Sequence, residues 1–432
     1  MREAATPEAH PHAHAHVGER RGVSEHRARL AELLAPLAAR PAEEWPLRDA
    51  LGTALAADLV APMSLPPFDN SQMDGFAVCS ADFSGGLDGA PGHLGPGLQE
   101  FRVAAAIPAG TVPRRLTSGH AAPIMTGAVM PAGADAVVPV ERAVPSGFPE
   151  EGGTVALPPV GAGTYVRPAA SDVEAGAVVL RSGTPLGAPQ IGLAAGLGLE
   201  TVPVRPPLRV VLVSTGAELA PPGVPLRPGQ IYDANGTLLG AALREAGLVA
   251  VNVVVRSDKP SELRNELEAL ASLGENHRPD LVVTTGGVSK GAFEATKLAL
   301  EGHEVEFVHL AMQPGGPQGL GSFSGVPIVA FPGNPVSCWV SWEVLLRPVL
   351  AGLLGAPTAR RRVRAALAEP LESPAGKLQV RRARLRADGV VELVGGPDSH
   401  LLGALAASDA LVMVPEDAAR LPAGADVEVW LL

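Results

Sequence analysis

Three apolar runs between residues 206 and 350 each end in a glycine-containing polar loop, and a helix-like segment follows. The loops are Ser214-Thr215-Gly216-Ala217-Glu218, Gly286-Gly287-Val288-Ser289-Lys290-Gly291 and Pro332-Gly333-Asn334-Pro335. Strands that alternate with helices predict a parallel sheet covered on both faces. In such a sheet, the loops at the carboxyl ends of the strands form the edge where ligands bind. Three loops of this kind in one segment predict a site for a phosphate-bearing ligand.

The second loop combines several features that suit a phosphate. Gly286 and Gly287 lack a Cβ, so their backbone N–H groups can approach an anion closely, and the helix that follows adds its positive end. Ser289 can donate a hydrogen bond and Lys290 can add a charge. A tight turn with a surface lysine is the alternative, and the two neighbouring loops favour the ligand site.

The third loop has the features of a helix start. Asn334 can cap a helix that has Pro335 at its first position, and Ser337 offers a hydroxyl one turn later. A plain helix cap explains these residues nearly as well as a ligand site does.

Four acidic residues lie close to these loops in the sequence, and they are Glu218, Asp233, Asp258 and Glu294. A phosphate site lined by carboxylates normally needs a cation, and Mg²⁺ suits oxygen ligands. Taken singly, each acid is more simply explained as a surface or capping residue.

Composition excludes several classes of protein. A net charge of −11 disfavours nucleic-acid binding, which needs clustered Lys and Arg. Cys79 and Cys338 are the two cysteines, and they form neither a disulfide framework nor a cysteine-type zinc site. Because the start of the chain lacks an apolar signal segment and no run of 18 apolar residues is free of breakers, we expect a cytoplasmic protein without a membrane span.

Turn residues and composition divide the 432 residues into domains. The predicted segments are a disordered His-rich tail (1–22), a linker and dimerisation domain (23–67 and 159–205), an inserted β module (68–158), the α/β domain (206–350) and a C-terminal β-barrel (357–432). The tail could bind a divalent metal, although incidental affinity of a flexible segment is the simpler reading. Helices are expected over 24–40 with Ser24 as the cap, over 47–57, over 187–198, and after Asn235 as a cap.

Two polar segments in the β module are unusual. Pro66–Gly75 places Asp69, Asn70 and Asp74 between prolines and a strand, and Met125–Ala128 forms a second polar loop. An Asx-type turn explains Asp69 and Asn70 well but explains Asp74 less easily.

Together these motifs resemble the MoeA family, the molybdopterin molybdenumtransferases that also occur as the E domain of gephyrin. The resemblance covers roughly residues 24–432 and keeps the family's order of motifs. It is carried by Pro66–Val78, Ile124–Gly127, Ser214–Glu218, Ile231–Asn235, Gly286–Lys297, Gln313–Gly321 and Pro332–Ser337.

The resemblance implies an elongated four-domain homodimer. Its central three-layer α/β/α domain would bind adenylated molybdopterin, and molybdate would be inserted into the dithiolene with release of AMP and help from Mg²⁺. The site would lie between the α/β domain of one subunit and the proline-rich loop and β module of the other. Transient contacts with the molybdopterin adenylyltransferase and with molybdoenzymes are further expectations, whereas nucleic acid and membrane are not expected as partners.

The resemblance also assigns roles to residues. Those at catalytic positions are Asp74, Thr126, Glu218, Asp258 and Glu294, and the last three would also hold the metal ion. Those that would bind the ligand are Ser214, Thr215, Gly216, Gly286, Gly287, Ser289, Lys290, Lys297, Pro332, Gly333, Asn334, Pro335 and Ser337.

The chain departs from the family pattern at three positions. Glu294 stands where Asp is common, Ala217 replaces an acid, and Gly316 replaces a usual lysine. One hypothesis is that Lys290 supplies the charge missing at Gly316. Two other functions stay open, an adenylyltransferase that makes the adenylated pterin and a non-catalytic scaffold that keeps the fold.

Overall fold

The computed structural model describes residues 20–85, 97–274, 277–288, 295–355 and 359–432. These residues form two compact units. The larger unit comprises residues up to 43, 52–54 and 204–432, and the smaller one comprises 44–51 and 55–203. Residues 1–19 of the predicted tail, Ser289, Lys290 and Glu294 lie outside the described residues, so the predictions for them stay predictions. The predicted disorder does not extend to Arg21, which forms an isolated β-bridge with Leu310.

The smaller unit contains the predicted β module. Its five-stranded sheet has a core that includes Phe76 and Phe101, and one of its strand pairs is parallel, that between Gln99–Val103 and His120–Ile124. In spatial order the strands are Ala136–Pro139, Gly75–Val78, His120–Ile124, Gln99–Val103 and Thr154–Leu157.

The rest of the smaller unit is built from short elements. Asn70–Ser71 pairs with Val166–Arg167, and Leu59–Val60 pairs with Val178–Leu180. The predicted helix over 187–198 is present as Ala188–Gly196. The remaining elements near this unit are the strands Glu43–Pro46, Ala54–Leu55 and Thr201–Arg205 and the 3₁₀ turns Leu47–Asp49, Ser80–Gly85 and Val140–Arg142.

The prediction of a helix over 47–57 is wrong. Only Leu47–Asp49 forms a 3₁₀ turn, and Ala54–Leu55 is a strand. Between them Gly52 adopts a φ of 80°, a left-handed conformation that cannot continue a right-handed helix.

The larger unit contains a six-stranded sheet in its described part, and four of the strands are parallel. In spatial order they are Val249–Val255, Arg209–Thr215, Leu281–Thr285, Val326–Phe331, Pro317–Phe323 and Glu304–His309. The prediction of a parallel sheet is confirmed for these four strands, whereas the last two strands are antiparallel. The strand Pro317–Phe323 is hard to recognise in the sequence, because it contains Gly319 and glycine is a poor strand former. The missing side chain of Gly319 leaves room for Phe307, whose Cε1 would lie 2.7 Å from a Cβ at that position.

Helices cover both faces of this sheet, which confirms the three-layer α/β/α architecture. Alternate residues of the strand Arg209–Thr215 enter two separate apolar cores: Val210 and Leu212 pack in one, and Val211 and Val213 in the other. The helices are Val23–Leu34 with the 3₁₀ turn Ala35–Ala39, Ala234–Glu245, Pro260–Ala271, Ala295–Ala299, and Pro335–Ser341, which continues through a π-helical turn Trp342–Leu346 into Arg347–Leu354.

Two predicted helix caps are wrong. The helix Val23–Leu34 begins after Gly22, so Ser24 is already inside it. The helix Ala234–Glu245 is capped by Asp233, whose Oδ1 accepts a hydrogen bond from the N–H of Gly236 at 3.0 Å. Asn235 is inside the helix, and its Nδ2 donates to the carbonyl of Gly333 at 2.7 Å.

The segment Pro335–Leu354 is, by length and composition, apolar enough to cross a membrane. It is mostly buried in the larger unit, where Trp342, Leu345 and Leu350 belong to the main apolar core. The core helix of a globular protein satisfies the same criterion, so this helix is weak evidence for a membrane span.

The C-terminal region forms the predicted β-barrel. The strands Arg362–Leu367, Leu378–Leu385, Val390–Leu393, Ala410–Val414 and Asp426–Leu431 pair in a closed ring. The further elements are the strands Leu219–Ala220, Ile231–Tyr232, Met312–Gln313, Leu371–Glu372 and Arg420–Leu421 and the helix Leu402–Ala406.

His26 makes the stability of the larger unit sensitive to pH. Its side chain is fully buried, and neither ring nitrogen has a hydrogen-bond partner among the described residues. Burial, together with the charge of Arg21, lowers the pKa of His26 to about 4. Since the folded state favours the neutral ring, its stability is complete above the unfolded pKa near 6.5 and falls as the pH drops toward 4.

We expect the free energy of unfolding to fall by about 2 kcal/mol between pH 7.5 and pH 5 because of this residue. In His26→Leu that part of the pH dependence should be lost, whereas His277→Leu, which changes an exposed histidine, should keep it. Urea midpoints at the two pH values measure the difference. Equal pH dependence in wild type and His26→Leu would show that the ring does not titrate as proposed.

Candidate functional site

A pocket of about 850 Å³ opens at the carboxyl ends of the four parallel strands. Residues from all three glycine-containing loops line it, together with Asp258, which follows the strand Val249–Val255. The expectation that these loops share one edge of the sheet is therefore confirmed by the geometry of the larger unit.

Two carboxylates lie beside the first loop, one from within it and one from the loop after Val249–Val255. Gly216 has a φ of 153°, and a Cβ there would lie 2.7 Å from Cδ of Glu218. The carboxylate of Glu218 therefore folds over a position that only glycine can occupy. Asp258 holds the same loop, since its Oδ1 accepts a hydrogen bond from the N–H of Ala217 at 3.2 Å.

The second and third loops pack against each other. Gly287 has a φ of 67°, and a Cβ there would lie 2.6 Å from Oγ1 of Thr296. That hydroxyl donates to the carbonyl of Gly286 at 2.7 Å. A Cβ on Gly333 would lie 3.4 Å from Cα of Gly286. The positive φ angles of Gly286 and Gly287 therefore favour glycine, whereas a side chain on Gly333 would only touch Gly286, and this contact brings the backbones of both loops to one side of the pocket.

The C-terminal barrel supplies a wall of the pocket that the sequence did not indicate. Pro397, Asp398, Ser399 and Lys377 line it. The buried guanidinium of Arg382 fixes this wall, because it donates to the carbonyls of Gly396 and Asp398. Glycine loops can be recognised in a sequence, whereas a wall from a distant domain carries no local signal.

Ser399 has the capping role that the sequence suggested for Asn334. Asn334 does precede the helix, but its Nδ2 donates to Oγ of Ser399 at 2.7 Å and does not cap. The carbonyl of Ser399 instead accepts from the N–H of Val336 at 3.1 Å. Nearby, Oδ1 of Asn235 is buried without a hydrogen-bond partner among the described residues, which leaves a polar acceptor for a ligand.

The remaining wall runs from His309 to Pro317. Sequence reasoning missed His309, which ends a strand that was not predicted.

The charged lining of the pocket is mainly acidic. Among the described residues it consists of Glu218, Asp233, Asp258, Asp398 and Lys377, together with His309. Asp233 is buried and caps a helix. An anionic ligand would therefore depend on backbone amides, on the basic side chains and on an added cation.

Of the sequence-predicted ligand residues, Ser214 and Lys297 do not line the pocket. Ser214 is buried and its Oγ accepts from the hydroxyl of Thr285 at 3.4 Å. The ammonium of Lys297 lies 6.0 Å from the ring centroid of Phe307. Each contributes to packing inside the sheet and its covering helix. The predicted residues that do line the pocket are Thr215, Gly216, Glu218, Asp258, Gly286, Gly287, Pro332, Gly333, Asn334, Pro335 and Ser337.

Asp74 and Thr126 form a pair in the smaller unit. Oδ1 of Asp74 accepts hydrogen bonds from both the N–H and the hydroxyl of Thr126, each at 2.7 Å. The backbone N–H of Thr126, and then its hydroxyl, lower the pKa of Asp74. The carboxylate is exposed, charged at neutral pH and held in a fixed orientation.

Three family models match the chain in succession. They are the MoeA N-terminal region (domains I and II) at residues 21–198, a probable molybdopterin-binding domain at 211–352, and the MoeA C-terminal region (domain IV) at 364–432. Together they span most of the sequence.

Similar proteins cover nearly the full length. Molybdopterin molybdenumtransferase 2 of Mycobacterium tuberculosis is 43% identical over 95% of this chain and 99% of its own. Molybdopterin molybdenumtransferase 1 of the same organism is 36% identical over the same shares. A solved structure of a molybdopterin biosynthesis MoeA protein from Pyrococcus horikoshii has 29% identity and a TM-score of 0.75, with 96% of this chain and 99% of that chain covered.

Proposed function

The chain belongs to the MoeA family, and we propose that it acts as a molybdopterin molybdenumtransferase. The enzyme inserts molybdate into adenylated molybdopterin and releases AMP. One feature of the structure supports this most directly. The glycine-containing loops that follow three separate strands line one pocket, in the domain that matches the molybdopterin-binding model.

The physical task of such an enzyme is to bring anions together. The phosphates of the adenylated pterin and molybdate are both negatively charged, so the site must offset their repulsion. The backbone N–H groups of Gly287 and Gly333 can donate to phosphate oxygens, whereas that of Gly286 already donates to the carbonyl of Phe331 at 3.2 Å. In our proposal Ser289 and Lys290 add donors to the same group.

Mg²⁺ is part of the proposal. Glu218 and Asp258 offer carboxylate oxygens at the pocket. Within the described ranges no group of three or more His, Cys, Asp or Glu could hold a metal alone. Two carboxylates can be enough for Mg²⁺, because this ion keeps several waters and also binds substrate phosphates. Glu294 would be the third ligand. When bound, the ion would neutralise charge on the phosphate oxygens.

Cleavage of the phosphoanhydride requires an oxygen of water or molybdate to attack phosphorus while the AMP or pterin phosphate leaves. Glu218 and Asp258 would hold Mg²⁺ and so orient the attacking oxygen, and the cation would offset the negative charge. Asp74, fixed by Thr126, would supply a further oriented carboxylate.

The test is incubation of the purified protein with adenylated molybdopterin, Mg²⁺ and molybdate. We expect AMP release that depends on molybdate and a product that activates an apo-molybdoenzyme. Transfer of AMP from ATP to molybdopterin without molybdate would instead identify an adenylyltransferase. Ligand binding without any turnover would identify a scaffold.

We propose that the active form is a homodimer with a shared site, as the family resemblance implies. Asp74 and Thr126 of one subunit would then act on the ligand held in the pocket of the other. We also propose a cytoplasmic location and transient contacts with the adenylyltransferase and with molybdoenzymes, because the pterin passes between these proteins.

Sharing of the site predicts complementation between two inactive variants. Co-expressed Asp74→Ala and Glu218→Gln chains should recover about a quarter of wild-type activity, because half of the dimers are mixed and each mixed dimer has one intact site. Each variant alone should be inactive. Activity of the co-purified mixture is the measurement, and no recovery in demonstrably mixed dimers would mean that both residues act within one chain.

A further inference from the structure

His309 and the backbone of Gly316 occupy neighbouring positions in the pocket wall, and there is no room for a side chain between them. A Cβ built on Gly316 would lie 2.6 Å from Nε2 and 2.9 Å from Cε1 of His309. The two are held in register, because His309 pairs with Pro317 and the N–H of Leu310 donates to the carbonyl of Gly316 at 2.7 Å. The imidazole therefore stands where a side chain at position 316 would begin.

The position of this ring matters because basic side chains are few in the pocket. Within the described lining, Lys377 is the lysine and His309 the histidine, beside four carboxylates. His309 is exposed and lines the pocket. An imidazole can donate a hydrogen bond to an oxyanion whether it is neutral or charged.

We propose that His309 contacts a tetrahedral oxyanion of the substrates, and that Gly316 is glycine because the ring needs its space. The inference rests on the proposed function, since it concerns the same pocket. The oxyanion is either molybdate or the phosphate of the nucleotide, and both present the same acceptor oxygens. The sequence suggested that Lys290 compensates for Gly316, whereas the geometry assigns that role to His309.

The proposal predicts how substitutions at the two positions combine. Gly316 does not have a positive φ, so Gly316→Ala is allowed by the backbone. Its methyl group would meet the end of a rotatable side chain, and the ring would turn out of the pocket. Gly316→Ala should therefore act through His309.

Binding of molybdate alone and of AMP alone, measured by calorimetry, tests this. His309→Ala and Gly316→Ala should each weaken the binding of at least one anion by roughly tenfold or more. The double variant should be no weaker than either single one. Adding a lysine in His309→Ala/Gly316→Lys should restore binding, and His309→Gln, which keeps a donor, should lose less than His309→Ala.

Gly352→Ala is the matched control, because a Cβ there meets open space and Gly352 does not line the pocket, so binding should not change. If affinity falls for only one of the two anions, molybdate or AMP, that anion is the one that the ring of His309 contacts. The inference is overturned if His309→Ala binds both anions as wild type does. It is also overturned if Gly316→Ala lowers the affinity as much in the His309→Ala background as in wild type. Failure of the wild type to release AMP in the presence of molybdate would instead overturn the proposed function.

Discussion

Glu218→Gln is expected to lower molybdate-dependent AMP release by roughly 10²–10³-fold, the usual effect of removing one preorganised charged or polar group from a reaction site. The substitution keeps the shape of the side chain, which lies over Gly216 at the mouth of the pocket. What it removes is a negative charge that we assign to holding Mg²⁺ and orienting the attacking oxygen. Steady-state AMP release at saturating Mg²⁺ and molybdate measures the effect.

Glu268→Gln is the control for this variant. Glu268 is an exposed acid on the helix Pro260–Ala271 of the same domain, and it does not line the pocket. Glu268→Gln should release AMP at the wild-type rate. If Glu218→Gln keeps more than about a tenth of the rate, the charge of Glu218 contributes less than 1.4 kcal/mol to the transition state and the assignment is wrong.

Glu343→Gln is expected to destabilise the larger unit by about 3–5 kcal/mol, because it removes the buried carboxylate from two largely buried arginines and leaves them the exposed Glu245 as their acidic partner. The carboxylate of Glu343 is fully buried in the core helix. It accepts from Nε and Nη2 of Arg360 at 3.0 and 2.9 Å, and from Nη1 of Arg347 at 3.4 Å. Chemical denaturation followed by tryptophan fluorescence measures the change, since Trp342 lies in the same core.

An exposed ion pair in the barrel provides the comparison for Glu343. Glu392 pairs with Arg386 at 3.0 Å, and both side chains are about half exposed. Glu392→Gln should therefore cost less than about 1 kcal/mol. Replacing Glu343, Arg347 and Arg360 together by Leu, Met and Met should recover most of the lost stability. If Glu343→Gln lowered the free energy of unfolding as little as Glu392→Gln, the ion cluster of Glu343 would be accessible to solvent in solution.

The elements that could be predicted are those whose signal is local. The strands Arg209–Thr215 and Leu281–Thr285 are continuous apolar runs, and a run of this kind needs a sheet buried on both faces. The barrel strands alternate between polar and apolar residues around the turn at Asp388-Gly389. In each case the pattern that folds the element lies within the element itself.

The elements that were missed depend on contacts with distant residues. In the strand Pro317–Phe323, Gly319 leaves room for the ring of Phe307, and a Cβ on Gly321 would clash with the backbone of Glu304 and Val305. The cap of the helix Ala234–Glu245 is Asp233 and not Asn235, because Asn235 reaches the carbonyl of Gly333, nearly one hundred residues away in the sequence. Both Asp and Asn are good caps, so the sequence alone could not decide between them.

The amino-acid sequence determined where the backbone turns tightly at the pocket, because the positive φ angles of Gly216, Gly286 and Gly287 favour glycine. It also determined the layered order of strands and helices through the spacing of apolar residues. The tertiary structure alone decided which side chains share the pocket. Ser399 and Lys377 of the C-terminal region line it, and His309 lies beside Gly316. The physical reason is that backbone conformation depends on the residue and its near neighbours, whereas contacts between side chains depend on how whole domains pack.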